Sequence, residues 1–433
     1  MANMTNRLLS AAGAAALTIG LSAPAHAAAF YLQEQSARGA GRAFSGEGAD
    51  TGSASLWWNP AAIGGLHGGD VSLNISEIMP RADVVDKGTI IVRPGQAPAP
   101  VGGTATAHDP ISNGTLPSGA VAYGFGQFAV GLAVTSPFSF ETKYAPDSWA
   151  RYTAGKTKLT TIDLQPSVAV AITPMIVVGV AANAEHVSAT LGNALPNLSP
   201  LLPDGQQTLS GKGWDWGWSV GGQVRSGPAV FGLSYKSSIK HKLNGQVVTS
   251  GLLGPLAPFN STIPTDATFK TPWQAIGSVR VQVMPQLTLD GQIARIGWGE
   301  FSAIDLGAPI NAAIPENYRN TWNVAGGLDY KVAPMWTLRA GVQHDQTPTR
   351  NGFRDARVPD SDRWDFAVGA SVSPAPNFSI DAAAMYIDFA DAGIDRPTAA
   401  FAGTPVQTPI LVNGELQSAH ALVLSVGARL NFP

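Results

Sequence analysis

Gly217-Trp218-Ser219-Val220-Gly221 is the one stretch of this chain that fits a nucleophile pattern, G-x-S-x-G. A serine in that pattern does chemistry only when a sharp strand-to-helix turn lifts its hydroxyl out of a sheet and a histidine stands beside it to take the proton. Here the pentapeptide sits inside an alternating stretch with no helix after it. The seven histidines (His26, His67, His108, His186, His241, His344 and His420) are scattered and share no metal-ligand spacing. Cysteine is absent from the sequence, which removes thiol nucleophiles, thiolate metal sites and disulfides together. Asp360 and Asp362, next to Arg363, read as loop ion pairs rather than as an acid–base pair. These residues predict no catalytic centre, no metal and no cofactor, with the serine motif a chance match.

The elements that carry these residues explain why. Arg7, the apolar stretch Leu8 to Leu21 and the small-x-small Ala25-His26-Ala27 predict a secretory signal peptide over residues 1–27. The exported remainder is poor in charge, at 13% for the chain against about a quarter in ordinary soluble proteins. It is rich in glycine (48) and proline (32), yet 45% hydrophobic residues and 11 tryptophans exclude disorder. Net charge is −3 and no basic stripe suggests nucleic acid. No further apolar run is long enough for a spanning helix. The remaining solvent for such a chain is the outer membrane of a Gram-negative bacterium, crossed by strands of a closed barrel.

Alternation supports this. Across Ala419 to Phe432 one face reads His, Leu, Leu, Val, Ala, Leu, Phe and the other Ala, Ala, Val, Ser, Gly, Arg, Asn. A soluble sandwich would alternate too, so the connections decide. Fourteen strands are predicted at 70–80, 118–126, 128–137, 158–171, 175–190, 213–225, 229–248, 270–283, 286–299, 319–332, 336–345, 363–373, 377–388 and 418–432. The gaps alternate strictly between long and short, as external loops and periplasmic turns do. The expected fold is therefore all-β, a 14-stranded antiparallel transmembrane β-barrel over residues 70–433. Trp214, Trp216 and Trp218, with Trp273, Trp298, Trp322, Trp336 and Trp364, are expected in interfacial girdles.

Residues 28–69 precede the first strand without strand period, yet carry Phe30, Tyr31, Leu32, Phe44, Leu56, Trp57 and Trp58. Such a segment must pack against something, and the lumen of a wide barrel is available. It is expected to be a plug, or hatch: small residues let it thread near the wall, the tryptophan pair anchors it, and Asn59-Pro60-Ala61 fixes a turn. Two of the long loops are greasy. Residues 191–212 hold Leu195, Leu198, Leu201 and Leu202, and residues 249–269 hold Leu252, Leu253, Leu256 and Phe259. They present an apolar capture surface, pack on each other as a lid, or do both.

The stretch "FYLQEQSARGAGRAFSGEGA", the "NPAA" that follows, and then "SPFSFETKYAPDSWARY", "TTIDLQPSVAV", "GWDWGWSVGG" and "TWNVAGGLDYKVAPMWTLRAGVQHDQTP" resemble the FadL family of outer-membrane long-chain fatty acid transporters. The resemblance implies a monomeric fourteen-stranded barrel with an N-terminal hatch, placed among outer-membrane lipid and lipopolysaccharide by the barrel assembly machinery. It implies passive uptake of long-chain fatty acids, or of aromatic or aliphatic hydrocarbons, rather than lipolysis or general porin activity. The implied path runs from a groove at Leu198, Leu201, Leu252, Leu256 and Phe259 to a pocket at Phe30, Trp57 and Trp58. It leaves sideways beside a kinked third strand, at Gly131, Ala133 and Ser136. Two departures stand out. Positions where the family holds a carboxylate with basic groups fall near Gly192 and Asp305, while Arg280, Arg295, Arg339 and Arg429 are candidates to face inward. Phe432 is followed by Pro433, so the terminal aromatic that barrels commonly present to the assembly machinery is displaced by one.

Overall fold

Strands that alternate apolar and small or polar residues can satisfy their backbones in lipid only by pairing all the way round. The computed structural model of the protein describes residues 29–433; the expected signal peptide lies outside the described residues. Its wall is an antiparallel meander of fourteen strands. They are β1 (Gly68–Asp86), β2 (Gly114–Phe125), β3 (Phe128–Thr135), β4 (Lys156–Ala171), β5 (Ile176–Leu195), β6 (Gly205–Ser226) and β7 (Ala229–Lys236 and Lys240–Ser250). There follow β8 (Ser261–Lys270 and Trp273–Met284), β9 (Leu287–Gly297), β10 (Thr321–Ala333), β11 (Trp336–Asp345), β12 (Arg363–Ala375), β13 (Phe378–Phe389) and β14 (Gly414–Phe432). β1 pairs β2 on one side and β14 on the other, from Gly69 opposite Phe432 to Asp86 opposite Gly414, and this closes the cylinder.

The pleat sorts side chains as expected. In β3, Val130, Leu132 and Val134 are exposed on the outside, whereas Ala129 and Ala133 are buried inside. A belt of rings rides the outer face near the loop end. His186 lies 5.1 Å from Trp214, Trp218 5.4 Å from Tyr235, Tyr235 6.1 Å from Trp273, and His344 4.7 Å from Trp364. Arg295 stacks on Trp322 at 4.8 Å in the same belt, so this arginine faces outward, unlike Arg280, Arg339 and Arg429. Trp336 and Tyr330 are exposed at the turn end of β11 and β10. Trp298 corrects the girdle expectation. It is fully buried, because the chain leaves β9 in a single 3-10 turn (Trp298–Glu300) that carries the indole into the lumen.

Two loop boundaries also shift. β5 and β6 stay paired up to Leu195 opposite Gly205, and β7 and β8 up to Thr249 opposite Ser261. Much of what the sequence marks as loops 191–212 and 249–269 is therefore wall that has passed beyond the lipid, where polar residues on the outer face no longer contradict a strand. Loops 87–113 and 390–413 supply a small sheet of their own, Ile90–Ile91, Ala99–Pro100, Thr398–Ala400 and Thr408–Leu411, over the mouth.

Leu233 lies in the lipid-facing wall at 70% exposure. Leu233→Arg is expected to destabilise the assembled barrel by about 2–4 kcal/mol, read as a lowered urea midpoint for unfolding from lipid vesicles.

Candidate functional site

The hatch, residues 29–67, is short of regular structure because its glycines and Pro60 forbid a long helix. It folds as α1 (Ala37–Ala40) and three single 3-10 turns, Glu47–Ala49, Ser53–Ser55 and Pro60–Ile63. Ser36 caps α1, and Asn59 caps the last turn by accepting from Ala61 N–H at 2.9 Å, with Pro60 in the first position. The Asn59 amide also donates to Gly48 O at 2.6 Å and to Gly222 O in β6 at 3.3 Å. One side chain thus folds the turn and ties it to the wall.

The wall makes room for this. A Cβ at Gly221 would lie 1.9 Å from Asn59 Oδ1, and one at Gly179 would lie 2.5 Å from the Pro60 carbonyl carbon. Glycine inside a strand marks a close approach of another backbone, a signal present in the sequence at both positions. Gly221 is the last residue of the G-x-S-x-G stretch. Ser219 Oγ donates to Asn183 Oδ1 at 2.6 Å from an unbroken strand, so Ser219 and Gly221 of the apparent nucleophile motif serve the lumen packing.

Charge completes the seat. Arg42 is wholly buried and meets Glu47 and Asp50 at 2.5 Å each, and Asp329 of β10 at 3.3 Å. Arg280 reaches Asp50 (3.2 Å), Asp329 (2.9 Å) and Asp290 (3.4 Å). Arg38 pairs with Asp50, Arg339 bridges Asp329 and Asp381, and Arg429 closes on Asp381 at 2.8 Å. Five arginines thus face five carboxylates across the hatch–wall seam. Asp360 and Asp362 are likewise paired, with Arg363 at 3.9 Å and Arg319 at 3.6 Å.

The third strand breaks where it meets the hatch. β3 pairs β4 from Phe128 opposite Val170 to Thr135 opposite Asp163, and pairing resumes at Phe140 opposite Leu159. In between, Ser136, Pro137, Phe138 and Ser139 face three residues of β4, and all four are buried. They bend inward. Ser136 Oγ donates to Thr161 O at 2.6 Å and Phe138 N–H to Thr161 Oγ1 at 3.0 Å. On the other side, Gly114–Ser118 of β2 have no β3 partner. The hatch covers the gap from within. Leu32 N–H donates to Pro137 O (2.8 Å), Ser139 N–H to Phe30 O (3.0 Å), Gln35 Nε2 to Ser136 O (3.1 Å) and Ser118 Oγ to Gln35 O (2.8 Å). Gly131 and Ala133, just before the break, meet Leu56 and Ile63 of the hatch.

Above Phe30 is an apolar pocket holding about 710 Å³ of atom-free space, its open mouth included. Its floor and sides come from the hatch (Phe30), the far side of the break (Phe140), β4 (Leu159), β5 (Leu191), β7 (Leu243) and β8 (Phe269). Phe301 and Tyr318 cover it from the 298–320 loop, and Trp298 stands edge-on to Phe30 at 4.8 Å. Trp57 lies deeper, with Tyr31 at 6.0 Å, Trp58 at 4.9 Å and Lys236 over its ring at 4.5 Å. Of the loop residues, Leu252 and Leu256 are fully buried in a lid core with Leu195 and Trp149, and Leu198 packs beside it. Leu201, Leu253 and Phe259 face water, Leu201 at 93%. Asn197 welds the two loops, its Oδ1 accepting from Leu253 N–H and its Nδ2 donating to Pro203 O and Gly251 O. Asp305 lies on a hairpin whose Ile304 lines this pocket, but Asp305 itself is exposed and outside the lining.

A plugged, closed barrel with this hatch matches a known family over nearly its whole length. The family described as outer membrane protein transport protein (OMPP1/FadL/TodX) matches residues 18–432. The chain belongs to that family. It is an outer-membrane β-barrel transporter for hydrophobic compounds, not an enzyme. It is 27% identical to a long-chain fatty acid transport protein of Escherichia coli O6:H1, across 89% of this chain and 92% of that one. It is 26% identical to outer membrane protein P1 of Haemophilus influenzae, across 84% and 86%. Among solved structures, a Pseudomonas aeruginosa FadL homologue superposes with a TM-score of 0.81 at 23% identity, covering 93% of this chain and all of that one. The Ralstonia pickettii toluene transporter TbuX gives 0.65 at 17%, covering 93% and 100%. At those identities the superpositions speak for the fold of this FadL-family chain.

Two measurements test the site. Gly221→Val puts a branched side chain where Asn59 Oδ1 sits, and should unseat the hatch, read as a rise in ion current across planar bilayers over that of the unmodified protein. At the lid, burial pushes the Glu316 carboxyl up to about 7, with Arg396 pulling down, Asp355 pushing up and Arg357 pulling down. The folded chain then holds a proton that an unfolded carboxyl near about 4.3 has shed. That contribution is complete below the unfolded value and is lost as pH rises through about 7. Glu316→Gln should therefore flatten part of the fall in thermal midpoint between pH 5 and pH 8.

Proposed function

We propose that the protein takes up long-chain fatty acids passively, delivering them sideways into the membrane through the break in β3. The observation that carries this reading is that one segment, residues 30–35, serves both ends of the path. Phe30 forms the floor of the apolar pocket, and the same segment makes the hydrogen bonds that stop the break at Ser136–Ser139. A ligand chain that displaces Phe30 would loosen those bonds, and the gap beside Gly114–Ser118 would lose its inner cover. The exposed Leu201, Leu253 and Phe259 supply an apolar landing place at the mouth. Lateral exit spares an oily molecule the charged seam beneath the pocket, and downhill partition into lipid supplies the free energy. The relative in Escherichia coli O6:H1, named a long-chain fatty acid transport protein, supports the substrate class.

A second reading, uptake of aromatic or aliphatic hydrocarbons by the same route, is supported by one observation: Gly192 and Asp305 stand where the family resemblance calls for basic groups. Uptake of radiolabelled oleate and toluene by a Gram-negative host lacking its own transporters separates the two. Saturable oleate uptake is expected. Four residues of the break face three of β4, so deleting Pro137 lets the strand pair through in register. That variant should fold and bind oleate, yet its uptake should fall about ten-fold or more. Unchanged uptake would count against lateral exit.

A further inference from the structure

We propose that the outer face of β6 to β9, at the level of the ring belt, is a docking surface for lipopolysaccharide: Lys212, Lys240 and Arg295 take the phosphates of its sugar anchor, and one acyl chain lies in a furrow over Ala275 and Gly277.

The furrow comes from two small residues in one strand. Residues opposite one another in paired strands leave the sheet on the same side. β8 sends Ala275 and then Gly277 to the lipid side. Ala275 stands between Tyr235 of β7 and Arg295 of β9, and Gly277 between Leu233 and Ile293. These larger neighbours are two banks around a hollow with about 960 Å³ of atom-free space, its open side included. Internal packing does not demand the glycine. A Cβ at Gly277 would meet nothing nearer than Leu233 Cδ2 at 3.5 Å and Ile293 Cγ2 at 3.6 Å, which is ordinary contact. Toward the loops the hollow runs into Arg295 and Trp322.

The wall above the furrow is basic and incompletely paired. Arg295 stacks on Trp322 at 4.8 Å, and among the described residues no carboxylate pairs with it. Lys212 is the next outward residue of β6 after Trp214, and Lys240 of β7 stands directly opposite Lys270 of β8. Like charges so placed repel. Lys270 has Glu300 at 2.7 Å and Lys242 has Asp266 at 2.8 Å. Lys212 and Lys240 are exposed, and among the described residues no carboxylate pairs with either. On this flank Lys212, Lys240, Lys242, Lys270 and Arg295 stand against Asp266, Glu300 and Asp305, an excess of two positive charges. Across the cylinder the sign differs: exposed Asp388 is the next outward residue of β13 beyond the Tyr386–His420 ring pair.

A belt of tryptophan and tyrosine marks the depth at which lipid headgroups begin, and these cations lie at its loop end. Phosphate is the anion found at that depth, and lysine and arginine bind it through charge-assisted hydrogen bonds. β6 and β9 are three strand spacings apart, about 14 Å. A glycerophospholipid with one phosphate reaches one of the three cations, whereas a sugar pair carrying two phosphates reaches two. The surface shares no residue with the pocket above Phe30 and is independent of what that pocket carries.

The test is native mass spectrometry of the purified full chain in detergent, titrated with bis-phosphorylated lipid A, with the same lipid freed of phosphate, and with phosphatidylglycerol. The unmodified protein should hold lipid A about ten-fold or more tighter than either comparison lipid. Lys240→Gln/Arg295→Gln should lose about ten-fold or more in lipid A affinity. Gly277→Leu fills the furrow and should weaken lipid A with and without phosphate alike. Arg81→Gln/Lys87→Gln removes equal charge from the far flank and should leave binding unchanged; heat-modifiable migration on gels reports that every variant is an assembled barrel. Lipid A held equally by Lys240→Gln/Arg295→Gln, or lost equally from Arg81→Gln/Lys87→Gln, would overturn the proposal. So would phosphatidylglycerol held as tightly as lipid A, which would make this flank a surface for anionic lipid in general.

Discussion

A strand that stops pairing inside a membrane must give its freed N–H and C=O groups other partners. That constraint organises this molecule. β3 abandons β2 and β4 at Ser136, and the partners it finds are the Gln35 amide, the backbone at Phe30 and Leu32, and Thr161 across the bend. The leading segment of the chain therefore acts as a missing length of wall as well as a plug. The aromatic residues around Phe30 follow from the same requirement, since the inward bend carries Phe138 and Phe140 with it and these rings need an apolar surround.

The hatch is seated differently at its two ends. Around Phe30 the contacts are rings and a few backbone bonds; around Arg42 they are ion pairs. A buried arginine with its acids removed would be costly, and so would the acids without it, so the balanced seam fixes one register of plug against wall. It does not glue the plug as an apolar core would, because water entering a polar lumen can solvate every one of those groups. The geometry therefore favours small shifts of residues 29–36 while α1 and the turns beyond it stay in place.

The sequence was most legible where the physics is local. Period-two alternation and the long–short rhythm of the gaps located all fourteen strands, and the unpatterned apolar run before them could be read as a plug. It was least legible where a residue's role depends on distant partners. Trp298 reads as a girdle tryptophan because it follows an alternating strand; only the turn after Gly297 carries it inward. Arg295 and Arg339 look alike in sequence, yet one stacks on Trp322 in the belt and the other meets Asp329 and Asp381 in the lumen. The pocket draws on the hatch, five strands, the far side of the break and two loops, and no spacing in the chain announces that Lys158 and Arg357 share it. The wall glycines were a missed local signal, since Gly179 and Gly221 interrupt otherwise well-patterned strands.

The height of the wall has a consequence of its own. β5 continues nine residues beyond His186 of the aromatic belt before it turns at Leu195. At about 3.3 Å per residue and a tilt near 40°, this lifts the rim roughly 20 Å clear of the bilayer surface. Greasy molecules that dissolve poorly among sugar chains can therefore be met above much of the saccharide coat. The tall hairpins act as a chimney, and the slowest part of the journey across a carbohydrate layer is shortened by architecture rather than by affinity.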